Sequence, residues 1–546
     1  MAAPVKKRFG DILVESGLIS ATQLQQALSY GKERDLKIGQ ALQELGFVNE
    51  VSVAKTLSNQ LKIPFVDFEK VVIDPQIAKI LPETVARKNR AIALGKRPGE
   101  VLVAFADPLN IYAIDDVTRH LDDKLVSCVG VESLIAKAID RIFTEKKVSP
   151  REKDGAAGDE SAAVSAVNDL LLQAVRDNSS DIHLEPAEDK LRIRTRVDGM
   201  LRITNTYPIA MHPSIVSRIK ILSQMDIGER RKPQDGRFEI PISGRSFDVR
   251  VSSLPLNQGE KIVMRLLDKS KVKINMSSLG FAPEQQKIFE EHLHHPHEII
   301  LVTGPTGSGK TTTLYAALNY INSVDKNIVT VEDPVEYELA GINQVQINPK
   351  ANLTFESALR SILRQDPDVV MIGEIRDVET AEIAIQAALT GHLVLSTLHT
   401  NDACGAVTRL IEMGIPPFLI ASSLGMVLAQ RLTRLLCTEC KEAFIAPEPL
   451  QKELGLEYDP DRKFYRPRGC NKCDNGGYKG RLGIYEVLTI SKEIELLVIN
   501  KASSHEIFRQ AQTEGLVSLR QSGVSKMLAG LTSVDEVMRV SLDNKE

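Results

Sequence analysis

Tryptophan is absent from this 546-residue chain, and phenylalanine and tyrosine bring the aromatic share to only 5%. A surface that stacks unpaired bases on successive rings has little to be built from, so no nucleic-acid partner is expected. Nor is there a surplus of positive charge. Lys and Arg number 68 against 72 Asp and Glu, a net charge of −4, so no overall field draws the chain onto a phosphate backbone or an anionic lipid surface. Long apolar runs are missing too. The longest uncharged one, residues 413–430, holds Pro416, Pro417, Ser422 and Ser423 and reads as a buried turn and helix rather than a membrane span. Lys6, Lys7 and Arg8 near the start are not followed by the apolar stretch of a secretory signal, so the expected location is the cytosol. Cysteine is scarce, with six residues, and four of them fall into two Cys-x-x-Cys pairs, a spacing that suits metal better than disulfides.

Hydrophobic residues at 43% and charged residues at 26% describe a globular chain with full cores. At about 150 residues per domain, the length predicts roughly three to four domains. The clearest boundary is VSPREKDGAAGDESAA, residues 148–163, which lacks apolar periodicity and reads as a flexible linker. Before it, residues 1–147 form an N-terminal domain with an internal repeat at 8–60. Gly10/Gly39, Leu13/Leu42, Gly17/Gly46 and Leu28/Leu57 coincide, as expected of a short helix, a glycine cap and an amphipathic helix used twice. Residues 91–94 and 101–106 flank the turn GKRPGE as a hairpin, and 111–143 reads mostly helical.

After the linker, 164–270 reads as a small α+β domain. Residues 164–176 are helical, 191–197 alternate apolar residues with Arg192, Arg194 and Arg196, and strands are predicted near 237–242, 246–251 and 261–267. From 277 to 546, apolar strands at 299–303, 328–331, 369–372 and 393–396 alternate with helical segments, the pattern of a mostly parallel α/β sheet.

The strongest motif is GPTGSGKTT, Gly304, Pro305, Thr306, Gly307, Ser308, Gly309, Lys310, Thr311 and Thr312, between the strand EIILVT and the helix that follows. Glycines let successive backbone N–H groups converge on phosphate oxygens at a helix N-terminus. Lys310 reaches the β- and γ-phosphates, and the Thr311 hydroxyl suits Mg²⁺. The chain is therefore expected to bind a nucleoside triphosphate. Hydrolysis needs carboxylates at the ends of neighbouring strands, and two sets follow apolar runs: Glu332, Asp333 and Glu336 after IVTV, and Glu374 with Asp377 after VVMI. His392 and His399 bracket a further strand; the second is placed to sense the γ-phosphate and the first to act as a structural partner.

Cys437, Cys440, Cys470 and Cys473 form the other strong pattern. Four thiolates complete a tetrahedral Zn²⁺ with no open position for catalysis. Cys128 and Cys404 read as ordinary buried thiols. In HLHHPH, residues 292–297, Pro296 bends the segment and no carboxylate or cysteine pattern is read as completing a metal site, so it reads as an exposed helix end.

GPTGSGKTT, TVEDPVEY, LRQDPDVVMIGEIRD and TGHLVLSTLHT, in this order, resemble the Walker A, Asp box, Walker B and His box of the secretion ATPase superfamily, and within it the GspE/PilB branch. RRKPQDGRFEI and AQRLTRLLC also fit. The resemblance implies a RecA-like P-loop core preceded by a small PAS-like α+β domain, with the tetracysteine insertion of assembly-type motors at about 437–473. It further implies a hexameric, Mg²⁺-dependent ATPase of type IV pilus assembly or type II secretion, peripheral at the cytoplasmic face of the inner membrane. Its implied partners are a PilC/GspF-like platform protein and a PilM/GspL-like adaptor that meets the N-terminal domain. By the same resemblance Glu336 polarises the attacking water and Glu374 is the Walker B glutamate. Arg250 and Arg265, with Arg237 behind them, match the arginines that the small domain directs at the phosphates.

The N-terminal repeat resembles the MshE-type motif, which in some members binds cyclic di-GMP through Arg-Leu-Gly at the start and Gln at the end of each copy. Here the first copy runs from Arg8 to Gly31 and the second from Lys37 to Gln60, so each lacks one key group and weak binding is expected. Two other functions share these parts: a conjugation-type nucleic-acid translocase, and a cyclic di-GMP receptor whose ATPase is secondary.

Overall fold

The computed structural model describes residues 9–34, 36–68, 71–144, 156–242, 244–269 and 275–541. The chain divides into two compact units, Met1–Ser270 and Lys271–Glu546.

The first unit begins with the repeat. Helices Phe9–Glu15 and Ala21–Arg34 make one copy, Ile38–Glu44 and Glu50–Leu61 the other. Gly17 (φ +72°) and Gly46 (φ +70°) end the two short helices in the left-handed region, where a Cβ is disfavoured. Leu13, Ile19, Ala27, Ala41 and Leu42 close a small core between the copies. Next comes a three-stranded sheet, β1 (Ala91–Arg97), β2 (Glu100–Phe105) and β3 (Lys124–Val129), in the order β1-β2-β3. The hairpin turn is tighter than the sequence suggests, because the strands run on until only Pro98 and Gly99 separate them. The segment expected to be mostly helical contains β3, KLVSCV, between helices Ile111–Thr118 and Glu132–Thr144. Six residues with only two of them fully buried gave no clear alternation to read.

Residues 145–155, and with them the first half of the expected linker, lie outside the described residues. Helix Ala156–Arg176 already occupies 156–163, the last part of that linker. Ala163, Ala166, Val167, Leu170, Leu171 and Ala174 recur at helical spacing on its buried face, which explains why the alanine-rich stretch belongs to the helix. Six antiparallel strands follow: β4 (Asp181–Pro186), β5 (Lys190–Val197), β6 (Met200–Pro208), β7 (Gln234–Ile242), β8 (Arg245–Leu256) and β9 (Gly259–Asp268), ordered β6-β5-β4-β9-β8-β7. In β5 Leu191, Ile193 and Thr195 point into the core while Arg192, Arg194 and Arg196 point away, the predicted alternation. Those arginines are held by carboxylates, Arg192 and Arg194 by Glu185 at 2.9 and 2.6 Å.

The second unit is built on a seven-stranded sheet. Its strands are β10 (Glu298–Thr303), β11 (Ile328–Glu332), β12 (Asn343–Gln346), β13 (Val369–Ile372), β14 (Leu393–Leu398), β15 (Leu424–Leu436) and, after the small pair β16 (Glu442–Ile445) and β17 (Lys463–Arg466), β18 (Tyr478–Thr489). The order is β12-β11-β13-β14-β10-β15-β18, parallel throughout except for β18. Apolar cores cover both faces, as a parallel sheet requires. The long uncharged run is only partly helical. Helix Pro417–Ser423 passes directly into β15, whose residues 426–430 are buried beside β10. No helix among the described residues is long and apolar enough to cross a membrane.

Candidate nucleotide site and metal centre

β10 lies inside the sheet, and its C-terminal end delivers the chain into the glycine-rich loop. Gly304 (φ +145°), Gly307 (φ +82°) and Gly309 (φ +92°) take backbone conformations that favour glycine, and helix Lys310–Ile321 starts immediately afterwards. Lys310 Nζ donates to the carbonyls of Gly304 at 2.7 Å and Pro305 at 3.3 Å, so its ammonium spans the loop. Burial pushes Lys310 down to about 8, with Glu374 opposing that fall and Arg431 adding to it. Ser308 Oγ is buried without a hydrogen-bond partner among the described residues. An orphaned hydroxyl within a ring of glycine N–H groups and a lysine fits a phosphate group, while Thr311 remains exposed at the helix start.

The acidic residues divide by role. Glu332, the last residue of β11, is buried and fully engaged: Tyr315 donates its hydroxyl to it, Thr330 Oγ1 donates at 2.6 Å and Gln344 Nε2 at 3.1 Å. Glu336, four residues on, is half-buried, and its backbone N–H donates to Tyr315 Oη at 3.2 Å. Tyr315 therefore ties the phosphate-loop helix to the loop carrying Glu336. Burial first, and Glu332 second, raise its hydroxyl so that it keeps its proton. Glu374 follows β13, with Arg376 paired to one carboxylate oxygen and His399 Nε2 3.4 Å from the other. His399 follows β14 and is exposed. His392 Nδ1 instead bonds the Ala387 carbonyl at 2.8 Å and closes the end of the preceding helix, the structural part expected of it.

Sequence reading missed two supports of the loop. Gln430 accepts from Thr313 Oγ1 at 2.8 Å, and buried Arg431 donates to Asn401 O at 2.8 Å. Both sit on β15, next to β10, a position that only the strand order discloses.

In the first unit, Arg250 on β8 and Arg265 on β9 are paired residues, with Arg237 of β7 opposite Arg250 and Asp181 of β4 opposite Arg265. Arg265 Nε donates to Asp181 Oδ1 at 3.1 Å, and Arg250 Nε lies 3.7 Å from Asp248 Oδ2. Further towards the N-terminus, a cavity of about 640 Å³ is lined by Lys37, Gln60, Lys88, Arg90 and Asp107 among others. Lys37 is paired with Asp107, Gly31 is buried in its helix, and Arg8 lies outside the described residues.

Cys437 directly follows β15, and Cys470 and Cys473 follow β17. The sulfur separations are 3.8 Å for Cys437–Cys470, 3.8 Å for Cys440–Cys473 and 3.7 Å for Cys470–Cys473. A regular tetrahedron of Zn–S bonds near 2.3 Å places its sulfurs about 3.8 Å apart, so the four thiols fit that ion. Cys128 and Cys404 are buried, and burial raises both thiols, Cys128 to about 11.

The type II/IV secretion system protein family matches residues 156–539, and the MshEN domain matches 61–148. The latter covers the α/β part of the N-terminal domain and leaves the helical repeat almost entirely outside. The type IV pilus assembly ATPase PilB of Myxococcus xanthus is 43% identical over 97% of this chain and 98% of its own length. The type II secretion system protein E of Pseudomonas aeruginosa is 51% identical over 70% of this chain and 76% of its own. Among solved structures, the ATPase DotB of Legionella pneumophila shares the fold with a TM-score of 0.52 at 20% identity, over 69% of this chain and 96% of that one. With a complete phosphate loop at the end of β10, this chain belongs to the type II/IV secretion system family of P-loop ATPases.

Proposed function

We propose that the chain is the motor ATPase of type IV pilus assembly. One observation carries this choice over type II secretion: the likeness to a pilus assembly ATPase runs through 97% of the chain and 98% of that relative, whereas the likeness to the secretion protein stops at 70%. The expected setting is a homo-hexamer at the cytoplasmic face of the inner membrane, working on a platform protein that receives pilin. Deleting the gene in its source organism should abolish surface pili and spare exoprotein secretion. Loss of secretion with normal piliation would reverse the assignment.

In this reading the loop 304–309 and Lys310 grip the triphosphate, and Glu336 orients and polarises the water that attacks the γ-phosphate. Thr311, with Glu374 nearby, would hold Mg²⁺, which would supply neutralisation of phosphate charge. His399, exposed beside Glu374, senses whether the γ-phosphate is present. Arg250 and Arg265 bring positive charge to the phosphates as turnover proceeds, coupling the movement of their sheet to hydrolysis. The four cysteines hold a structural Zn²⁺ that stabilises the β16–β17 knob and takes no part in the chemistry. Cyclic di-GMP is at most a weak ligand, because Lys37 already serves Asp107 and Gly31 offers no side chain.

A further inference from the structure

Three side chains around the start of β10 converge without any part in the nucleotide site. His292 closes the helix Pro283–Leu293, His295 follows it, and Glu298 opens β10. His292 Nδ1 lies 2.7 Å from Glu298 Oε1 and His295 Nδ1 lies 2.8 Å from Glu298 Oε2, so both imidazoles address one carboxylate through the same ring nitrogen. The donor atoms of all three residues lie within 4.8 Å of one another. The exposed helix end read from HLHHPH is thus corrected: His292 is buried, and the carboxylate that completes the set, Glu298, is the residue immediately after the motif.

Burying a carboxylate is costly unless something compensates its charge. Glu298 is only 9% exposed, and its neighbour in space is Gly425, where a Cβ would collide with the carboxylate. The backbone therefore leaves room for an acid at a site where a neutral residue would be cheaper. Without an ion each Nδ1–H donates to Glu298; with the ring proton moved to Nε2 to free Nδ1 for an ion, the two imidazoles and one carboxylate form a donor set suited to Zn²⁺, Ni²⁺ or Cu²⁺ rather than to Mg²⁺ or Ca²⁺. Bonds near 2.0–2.1 Å in a tetrahedron put donor atoms about 3.3 Å apart, so the cluster has to open by roughly half an ångström to admit an ion. His295 is half-exposed and provides the entry and the flexible ligand.

We propose that His292, His295 and Glu298 form a second metal site, specific for a borderline transition-metal ion, that clamps the end of helix Pro283–Leu293 to the strand leading into the phosphate loop. The clamp is independent of the four cysteines and leaves the fourth coordination position to water.

The test uses the untagged full chain as purified, titrated with Co²⁺ alone. The expected result is one saturable equivalent with weak visible d–d bands and no thiolate charge-transfer absorption, since the ligands are nitrogen and oxygen. His295→Ala should abolish that equivalent while its melting temperature without added metal and its phosphate release stay those of the parent, which shows that it folds. Glu298→Gln should weaken binding at least tenfold, and Cys437→Ser should leave it in place in the folded fraction. Absence of saturable Co²⁺ binding, binding retained in His295→Ala, or a spectrum with thiolate charge transfer would overturn the site and leave a hydrogen-bonded His–Glu–His trio.

Discussion

Arg250 and Arg265 stand directly opposite each other on antiparallel β8 and β9, on the face of the sheet away from its core. Arg237 extends the row on one side and Asp181 with Arg196 on the other, so five adjacent strands carry four arginines and one aspartate in register, with Arg265 and Arg196 both paired to Asp181. Like charges directly opposite destabilise a sheet pair, and a surface that only needed to be wet had cheaper choices.

If the row serves the triphosphate, Arg250→Ala and Arg265→Ala should each lower the turnover number by about 10- to 1,000-fold, with the circular dichroism spectrum unchanged. Arg→Lys should recover only part, because an ammonium lacks the bidentate fork. Normal turnover in both alanine variants would reduce the row to the polar face of a sheet.

The half-buried Lys310 gives ATP affinity a pH dependence of known sign. Its ammonium is lowered to about 8, so it is mostly charged at pH 7 and mostly neutral only above about 8. Bound phosphate favours the charged form and raises the group again. Affinity should therefore be flat below pH 7 and fall above about 8, by up to tenfold per pH unit. Fluorescent-ATP titrations from pH 6.5 to 9.5 measure it directly, and an affinity constant to pH 9.5 would show that Lys310 is not the controlling cation.

Zinc should behave as a folding element. Elemental analysis should find the Cys437/Cys440/Cys470/Cys473 site occupied, and Cys473→Ser should lower both metal content and melting temperature, because metal binding energy at such a site is folding energy. ATP affinity of the remaining folded protein should match the parent. A Cys473→Ser chain of unchanged stability and zinc content would remove the tetrahedral site.

Calorimetry with cyclic di-GMP on the full chain should give weak or no heat of binding. Gly31→Gln, the change that would restore the resembled motif, meets an obstacle: a Cβ there lies 3.0 Å from the Leu36 carbonyl oxygen. Lys37→Arg is thus the cleaner gain-of-binding variant, and tight binding by the unmodified chain would contradict the reading of both positions.

The parts legible in the sequence were those whose chemistry is local. A phosphate loop is one continuous stretch, so Gly304 to Thr312 could be recognised before its glycines were seen with positive φ. The tetracysteine site needs only two short spacings. The helical repeat is likewise local, and Gly17 and Gly46 end their helices as the matching positions implied. What depended on strand pairing was hidden: the Arg237–Arg250–Arg265 row, the placement of Gln430 and Arg431 beside β10, and Tyr315 bridging to Glu332 over 17 residues. The histidine run was misread for the same reason. Its acid partner is close in sequence, but Gly425, which makes room for it, belongs to β15.

The phosphate loop binds ATP and Glu336 directs its hydrolysis in the proposed motor. Phosphate release measured beside ATP binding for Lys310→Ala and Glu336→Gln tests it most directly. Lys310→Ala should lose binding, and Glu336→Gln should bind ATP like the parent while phosphate release falls by about 100-fold or more. Near-normal phosphate release from Glu336→Gln would contradict it and move the water-activating role to Glu374.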